Sequence, residues 1–475
     1  MMTGGLVLAA DTTEAEPVQA VAAATQTKAK TAQAAPVQQT YSLDLDTTKY
    51  EKKTMTVDGK KVAFRAYENR VYVAHPVDTT YQSMNIYVPE GYFNGKTING
   101  YTAKTAPIFL PNTVGGYMPG APGQPSENDR MTGGANAMLV ALSKGYVVAA
   151  PGARGRRTQA ADGTYTGKAP ALKALGAADE RDDIYASSVY CPITDLDHAD
   201  MAYEWMFNGV NTYHQGNMGA MKPPAGNSQA KPAGVVTNRP DNAPVEAAAG
   251  TEMTAVQQQA SKDLKAMYPA YINSLHLVDK NGKALTLDEN GRGSFADYIK
   301  SIYMASAQKA LDNGTDLSSK TWLTINDGKV TDMDLAGYAV DVTRLKAAPA
   351  FDALDMSSAE TEEFGTATVD KQHFTVYGKD HSTIAGSALA DKDIVKTMNP
   401  LNYIGKSGVK TAHYWRIRHG EADRDTTIAV PAVVALRLQQ AGYDVDFASP
   451  WARGHAGDYD LDELFAWMDA IGHKN

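Results

Sequence analysis

Short apolar runs that do not alternate with polar residues punctuate this chain, at Pro107–Pro111, Tyr146–Ala150, Ser188–Pro192, Tyr414–Arg418 and Asp444–Ala448. A strand wetted on one face alternates with period two, so runs like these suit strands covered on both faces of a parallel sheet. Helical patterns lie between several of them. Thr427 to Ala441 is apolar nearly all round, as suits a helix packed on a sheet, and Leu461, Leu464, Phe465, Met468 and Ile471 line one helical stripe. Upstream, Asp58-Gly59 signals a tight hairpin, and Val71–His75 and Met84–Val88 read as strands. Strands alternating with helices predict an α/β chain with a mostly parallel, doubly wound sheet.

The rhythm stops between about 208 and 345. A Pro/Gly/Asn-rich loop over 216–250 opens this stretch. Beyond it Leu264, Met267, Tyr268, Tyr271, Ile272 and Leu275 share one helical face, and Phe295, Ile299, Ile302 and Tyr303 share another. The prediction is a mainly helical cap over 208–345, inserted between the two parts of an α/β domain at 41–207 and 346–475. Residues 1–40 are rich in Ala, Gln, Thr and Pro, a composition that buries no core. Within them Thr3–Ala10 reads either as the back half of a signal peptide lacking its basic start or as the apolar tip of a disordered leader. Export, to the cell envelope or beyond, is the expectation.

Charge and cysteine content narrow the partners. The 45 basic residues face 54 acidic ones for a net charge of −9, which leaves no basic stripe for nucleic acid or anionic membrane. No apolar run approaches the roughly 18 residues of a membrane span. Cys191 is the single cysteine, so neither an intrachain disulfide nor a Cys-rich metal cage is available. Asp195, Asp197 and Asp200 are loosely spaced for calcium, but their turn lacks the glycine of a calcium loop, so neither a metal nor another cofactor is expected.

Two loops after late strands hold the acid–base candidates: His419-Gly-Glu-Ala-Asp423-Arg-Asp425, and Pro450 to Gly457 with His455. Loops at the carboxyl ends of parallel strands converge on the ligand crevice. An Asp followed by a His after the next strand matches the Ser…Asp…His order of α/β-hydrolases. Structural readings stand beside this one, with Asp425 as N-cap of the helix at Thr427 and His419 as a hydrogen-bonded turn residue. Gly115 and Gly116 follow an earlier strand, where paired glycines let backbone amides approach a substrate oxygen or simply form a turn. The loop Gly152-Ala-Arg-Gly-Arg156 reads as an anion contact or as a tight turn with solvated arginines.

Longer stretches carry a resemblance. Asn112–Met118, Tyr190–Trp205, Arg416–Gly420 with Asp423 and Asp425, and Gly454-His455 with Gly457–Asp460 are similar to bacterial tannases, serine esterases of the α/β-hydrolase fold that cleave galloyl esters. The similarity spans about Tyr41 to Ile471. It implies Asp423 and His455 as triad members, Gly115 and Gly116 as the oxyanion loop, and Lys346, Glu360 and Asp425 as contacts to a galloyl group. A small phenolic ester or acid is then the partner. Without the resemblance, Lys346 and Glu360 read as solvated surface charges.

One part of the family pattern is absent from the sequence. The family's nucleophile sits in Gly-Thr-Ser-Ala-Gly-Gly on a strand-to-helix turn, and this chain contains no G-x-S-x-G; Ser143, Ser387 and Ser407 each lack a flanking glycine. Pro151 to Ser187 contains no apolar run of strand type. The central nucleophile strand is thus expected to be deleted, with the chain inactive as an esterase. Cys191 lies after the next strand and reads as an inert core thiol.

Overall fold

The computed structural model describes residues 40–42, 44–112, 115–129, 132–170, 184–214 and 250–472. The predicted leader and nearly all of the 216–250 loop lie outside these residues. In the N-terminal half, β1 (Glu51–Val57) and β2 (Lys60–Val71) form a hairpin through Asp58 and Gly59, whose φ of 48° and 75° are the left-handed values such a turn requires. β3 (Ser83–Pro89) pairs antiparallel with β2. The strand predicted at Val71–His75 does not form as a separate element: Val71 ends β2, paired with Ser83 at the start of β3, and beyond it only single backbone bonds follow, from Tyr72 N to Gln82 O (3.2 Å) and from Tyr41 N to Ala74 O (3.0 Å). β4 (Ile108–Phe109), α1 (Ala137–Ser143) and β5 (Val147–Pro151) complete this half. Asn136 caps α1 by accepting from the Leu139 amide at 3.0 Å.

The strand order is β1-β2-β3-β5-β4, and only β4 and β5 run parallel. A second sheet is parallel throughout. Its strands are β6 (Ala186–Tyr190), and, far along the chain, β11 (Tyr414–Arg418) and β12 (Asp444–Ala448). Between them come α2 (Leu196–Phe207), β7 (Thr212–Tyr213), β8 (Thr251–Glu252), α3 (Ala255–Ser274), α4 (Ser294–Asp312), β9 (Leu323–Asn326), β10 (Lys329–Met333) and α5 (Leu335–Val342). Three short helices follow, α6 (Ala359–Glu363), α7 (Val376–Asp380) and α8 (Lys392–Met398). The chain then returns to β11 (Tyr414–Arg418), α9 (Ala429–Gln440), β12 (Asp444–Ala448) and α10 (Leu461–Gly472).

The chain is therefore mixed α/β, but among the described residues its strands divide into a five-stranded mixed sheet, a three-stranded parallel one and two antiparallel pairs, β7 with β8 and β9 with β10. The expected mostly parallel sheet holds for β6, β11 and β12 alone; the N-terminal hairpin and β3 make the other sheet largely antiparallel. Burial also departs from expectation at β4. The Pro107–Pro111 run was read as covered on both faces, yet Ile108 and Leu110 are 67% and 55% exposed. Ile184 and Tyr185, just before β6, are exposed too.

Packing explains the helices. α1 and α10 cover the mixed sheet, with Leu139, Leu142, Leu464 and Phe465 in one core with Tyr87 and Val148. α9 is apolar all round because it is buried on two sides. Ala432, Val433 and Leu436 join the large core of α2, α3 and α4, while Val434, Ala435 and Leu438 pack with Ile417 of β11. The helical faces predicted around Leu264 and Phe295 are α3 and α4.

Candidate functional site

β11 and β12 are parallel neighbours, so the loops that follow them emerge at one end of the sheet. The loops are laced together by backbone bonds from Glu421 N to Pro450 O (2.9 Å) and from Ala422 N to Arg453 O (2.8 Å). Gly420 permits this approach, since a Cβ there would lie 2.1 Å from Arg453 O. Asp423 and His455 are thereby brought together: His455 Nδ1 lies 3.0 Å from Asp423 Oδ2. Asp423 is held rigidly. Its carboxylate also accepts from the Asp425 amide (2.9 Å), the Thr426 amide (3.2 Å) and Thr426 Oγ1 (3.0 Å).

His419 proves to be more than a turn residue. It is fully buried, with Nε2 3.1 Å from Thr426 Oγ1 and 3.3 Å from Asp423 Oδ2. Thr426 Oγ1 spends its proton on Asp423, so it accepts from His419, which fixes the proton on Nε2. Asp423 lies between two imidazoles. Burial works against the Asp423 charge, but the His455 and His419 imidazoles outweigh it and hold the carboxyl far below its usual range. For His455, burial disfavours the cation, while Asp423 reverses this and raises the imidazole well above its ordinary value. His419, by contrast, is lowered, chiefly by burial.

The three predicted substrate contacts adjoin this pair. Lys346 Nζ is 3.4 Å from Asp425 Oδ1 and 4.0 Å from Glu360 Oε1, and sits 4.4 Å from the centre of the Phe351 ring. Asp425 Oδ2 is 3.6 Å from His455 Nε2. Glu360, Lys346, Asp425, His455 and Asp423 thus form one continuous line. Asp425 is not the cap of α9: the residue at the cap position is Ile428, and the Ala429 amide donates to Thr427 Oγ1 at 3.4 Å. Burial opposes the Lys346 charge, but Asp425 and Glu360 more than restore it and raise its pKa; Glu360 is raised by its burial.

Gly115 and Gly116 reach the same region indirectly. A Cβ at either would meet nothing within 4 Å, so this loop borders open space. Its anchor is Arg156, which donates to Gly116 O (3.1 Å) and pairs with Glu362 on α6, the helix that carries Glu360. Arg154 and Arg156 are both buried, against the reading of solvated arginines. The hydroxyl of Tyr117, next in the loop, is raised in pKa by burial and by the charges of Glu360 and Glu363. A cavity of about 300 Å³ opens beside Glu421, Ala422, Arg424 and Trp451, and none of the predicted site residues lines it.

Among the described residues no serine hydroxyl is hydrogen-bonded to His455. The Cys191 sulfur, a carboxylate oxygen of Asp423 and a ring nitrogen of His455 lie within 4.8 Å of one another, as do ligand atoms of Asp195, Asp197 and His198; both trios have donors of metal-binding type. The second is already served by protein groups, since Asn399 Nδ2 donates to Asp195 and to Asp197, both at 2.7 Å. Cys191 is buried, and that burial pushes its thiol up to about 11, far from a reactive thiolate.

No family model matches the chain, and none of the curated proteins does. Solved structures do match. The crystal structure of Fusobacterium nucleatum tannase is 40% identical, with 91% of this chain and 100% of that one covered at a TM-score of 0.82. The chain belongs to the tannase family. Tannase from Lactobacillus plantarum is 36% identical over 91% of this chain and 100% of its own, with a TM-score of 0.79. A tannin acyl hydrolase in complex with ethyl gallate is 37% identical over 90% and 98%, with a TM-score of 0.78.

Sequence reasoning did not find what holds this candidate site together. Tyr203 on α2 is the fastener: its hydroxyl accepts from the Leu345 amide (3.1 Å) and donates to Arg424 O (2.7 Å), joining the Lys346 segment to the Asp425 loop. Arg344, fully buried, donates to Glu204 of α2 at 2.6 and 3.0 Å and to Lys346 O at 2.7 Å. The available signal was the pair Tyr203-Glu204 inside the Tyr190–Trp205 stretch, a buried-face tyrosine beside an acid on one helix.

Proposed function

We propose that this chain carries a tannase-type site of an α/β-hydrolase fold, which binds the galloyl group of phenolic esters or acids and retains the Asp423–His455 half of a Ser-His-Asp triad. The observation that carries this is the unbroken line from Glu360 through Lys346 and Asp425 to His455 and Asp423. Three adjacent phenolic hydroxyls, once buried, each need a partner; two carboxylates accept from them and an ammonium donates. In acyl transfer His455 would take the nucleophile's proton and return it to the leaving alcohol, while Asp423 fixes the tautomer and steadies the imidazolium. Gly115 and Gly116 would supply amides to the developing oxyanion.

The serine that completes such a triad is the element this chain lacks on our reading. Its sequence has no G-x-S-x-G, and among the described residues, outside which 171–183 of the Pro151–Ser187 interval lie, the two sheets end at β4 and β6, which flank the nucleophile strand in the hydrolase fold. Exposed Ile108, Leu110, Ile184 and Tyr185 at these edges are the surface that a central strand would cover. Loss of the nucleophile in a comparable triad lowers turnover by about 10⁶, so binding without turnover is the proposed activity. Calorimetry with gallic acid, alongside methyl gallate hydrolysis, is the test. Expected are binding, no hydrolysis, and a ~10- to 100-fold loss of affinity in Lys346→Ala, the range for a buried charge-assisted hydrogen bond. Undiminished binding in that variant would refute the site, and hydrolysis by the parent would refute the missing nucleophile. Export of the chain, argued from Thr3–Ala10, is part of the same proposal and is tested by fractionating the source cells.

A further inference from the structure

A second Ser, His and Asp lie in hydrogen-bonded sequence in the segment before β11, sharing no residue with the site above. His373 Nδ1 is 2.7 Å from Asp352 Oδ1, and His373 Nε2 is 2.8 Å from Ser382 Oγ. Asp352 is fully buried, and its other oxygen accepts from the amides of Phe374 (3.2 Å) and Thr375 (2.9 Å) and from Thr375 Oγ1 (2.7 Å). Every group around this carboxylate is a donor. The shared proton therefore sits on His373 Nδ1, and in the neutral ring Nε2 is left bare toward the serine. Ser382 Oγ has two other acceptors, Leu354 O at 3.3 Å and Ile384 O at 3.5 Å, but the imidazole is nearer.

The surroundings hold the imidazole still. His373 is fully buried, and its backbone is pinned on both sides, with its amide donating to Ala388 O (3.0 Å) and its carbonyl accepting from Ala390 N (2.7 Å). α7 closes over the pair at Gly378, where a Cβ would lie 2.3 Å from Asp352 Oδ2 and 2.9 Å from His373 Nδ1, so a side chain there collides with the dyad. Ser382 itself is half-buried, and Val376, Ile384 and Leu389, from α7 and the chain after it, are exposed apolar side chains.

We propose that Ser382, His373 and Asp352 form a separate acyl-accepting site, reactive toward small activated aryl esters. Ser382 Oγ bonds to the acyl carbon, His373 Nε2 takes the hydroxyl proton and passes it to the departing phenolate, and an acyl-serine and a phenol result. Water then bonds to the acyl carbon as His373 Nε2 takes its proton, the bond to Ser382 Oγ breaks, the imidazole returns that proton to the serine, and the acid is released. With a fluorophosphonate the oxygen bonds to phosphorus, and fluoride leaves with the proton. The trio also fastens a surface loop, and that role alone would leave the hydroxyl unreactive.

The test is fluorophosphonate labelling of the full-length chain, followed by intact mass, peptide mapping and p-nitrophenyl acetate kinetics. Expected is one adduct on the peptide containing Ser382, none in Ser382→Ala, and labelling slowed by about 10²-fold or more in His373→Gln, the range of general-base assistance. Circular dichroism of both variants shows whether they remain folded, and Ser382→Ala tests the site even where His373→Gln does not fold. No adduct, or an adduct on another residue, overturns the proposal. An adduct on Ser382 that forms equally fast in folded His373→Gln overturns the role of the imidazole. Gallate titration is a separate readout: failure of the label does not touch the Lys346 site, and failure of gallate binding does not touch the Ser382 adduct.

Discussion

At the scale of single residues, the charge state of His455 follows from one neighbour. The His455 side chain is 39% exposed, so desolvation opposes the cation only in part, and the Asp423 carboxylate at 3.0 Å outweighs it. The two shifts, upward for His455 and downward for Asp423, share the His455–Asp423 interaction, and His419 adds to the downward one. A histidine with a raised pKa contributes stability fully below its unfolded value, and this is lost as pH rises through the folded value. A carboxylate with a lowered pKa contributes above its unfolded value, and this is lost as pH falls through the folded one. The pair is therefore fully expressed between about pH 4 and 6.5, the ordinary values of the two groups. In a proton NMR titration the His455 midpoint is expected above 6.5 in the parent and lower in Asp423→Asn. An unchanged midpoint in the variant would mean that Asp423 does not set the charge.

Among elements, α2 governs the site although none of its side chains is among the predicted contacts. Its Tyr203 hydroxyl bridges the Leu345 amide and the Arg424 carbonyl, and its Glu204 holds Arg344, which in turn grips Lys346 O. Removing the Tyr203 hydroxyl leaves the Leu345 amide and the Arg424 carbonyl with only their own long bond of 3.3 Å to each other, at a cost of about 1–3 kcal/mol in all. Tyr203→Phe is expected to lower the urea midpoint by a stability change in that range, and to weaken gallate binding because Lys346 is no longer held beside Asp425. Stability lost with affinity intact would show that Arg344 positions Lys346 unaided. This arrangement also explains what was legible in the sequence. Asp423 and His455 could be read from the residues because each follows a parallel strand, where loops converge. Lys346 and Glu360 have no local signature, as their role depends on a helix far away in sequence, and only the family resemblance pointed to them.

Across the whole molecule, the strands themselves were legible and their assembly was not. Apolar runs located β4, β5, β6, β11 and β12, because strand-forming side chains cluster locally in sequence, although the burial of β4 was not legible, since Ile108 is exposed. Which strands pair is decided by chain elsewhere: the hairpin at Asp58-Gly59 and the register of β3 make one sheet mixed, and β6 joins β11 across the whole helical stretch. The result sets β6 and β11 in different positions within one sheet. β11 is hydrogen-bonded on both sides, to β6 and β12, whereas β6 has one partner among the described strands. An amide in a ladder bonded on both sides is released only by a larger opening than one at a free edge. In hydrogen–deuterium exchange, residues 186–190 should therefore exchange at least about tenfold faster than 414–418, equivalent to about 1.4 kcal/mol less protection. Ile108 and Phe109 of β4, at the end of the other sheet, should exchange rapidly too. Equal protection of 186–190 and 414–418 would mean that another segment covers the outer edge of β6. The central strand that we propose is missing would then have a counterpart in this chain, and the proposal of binding without turnover would lose its structural support.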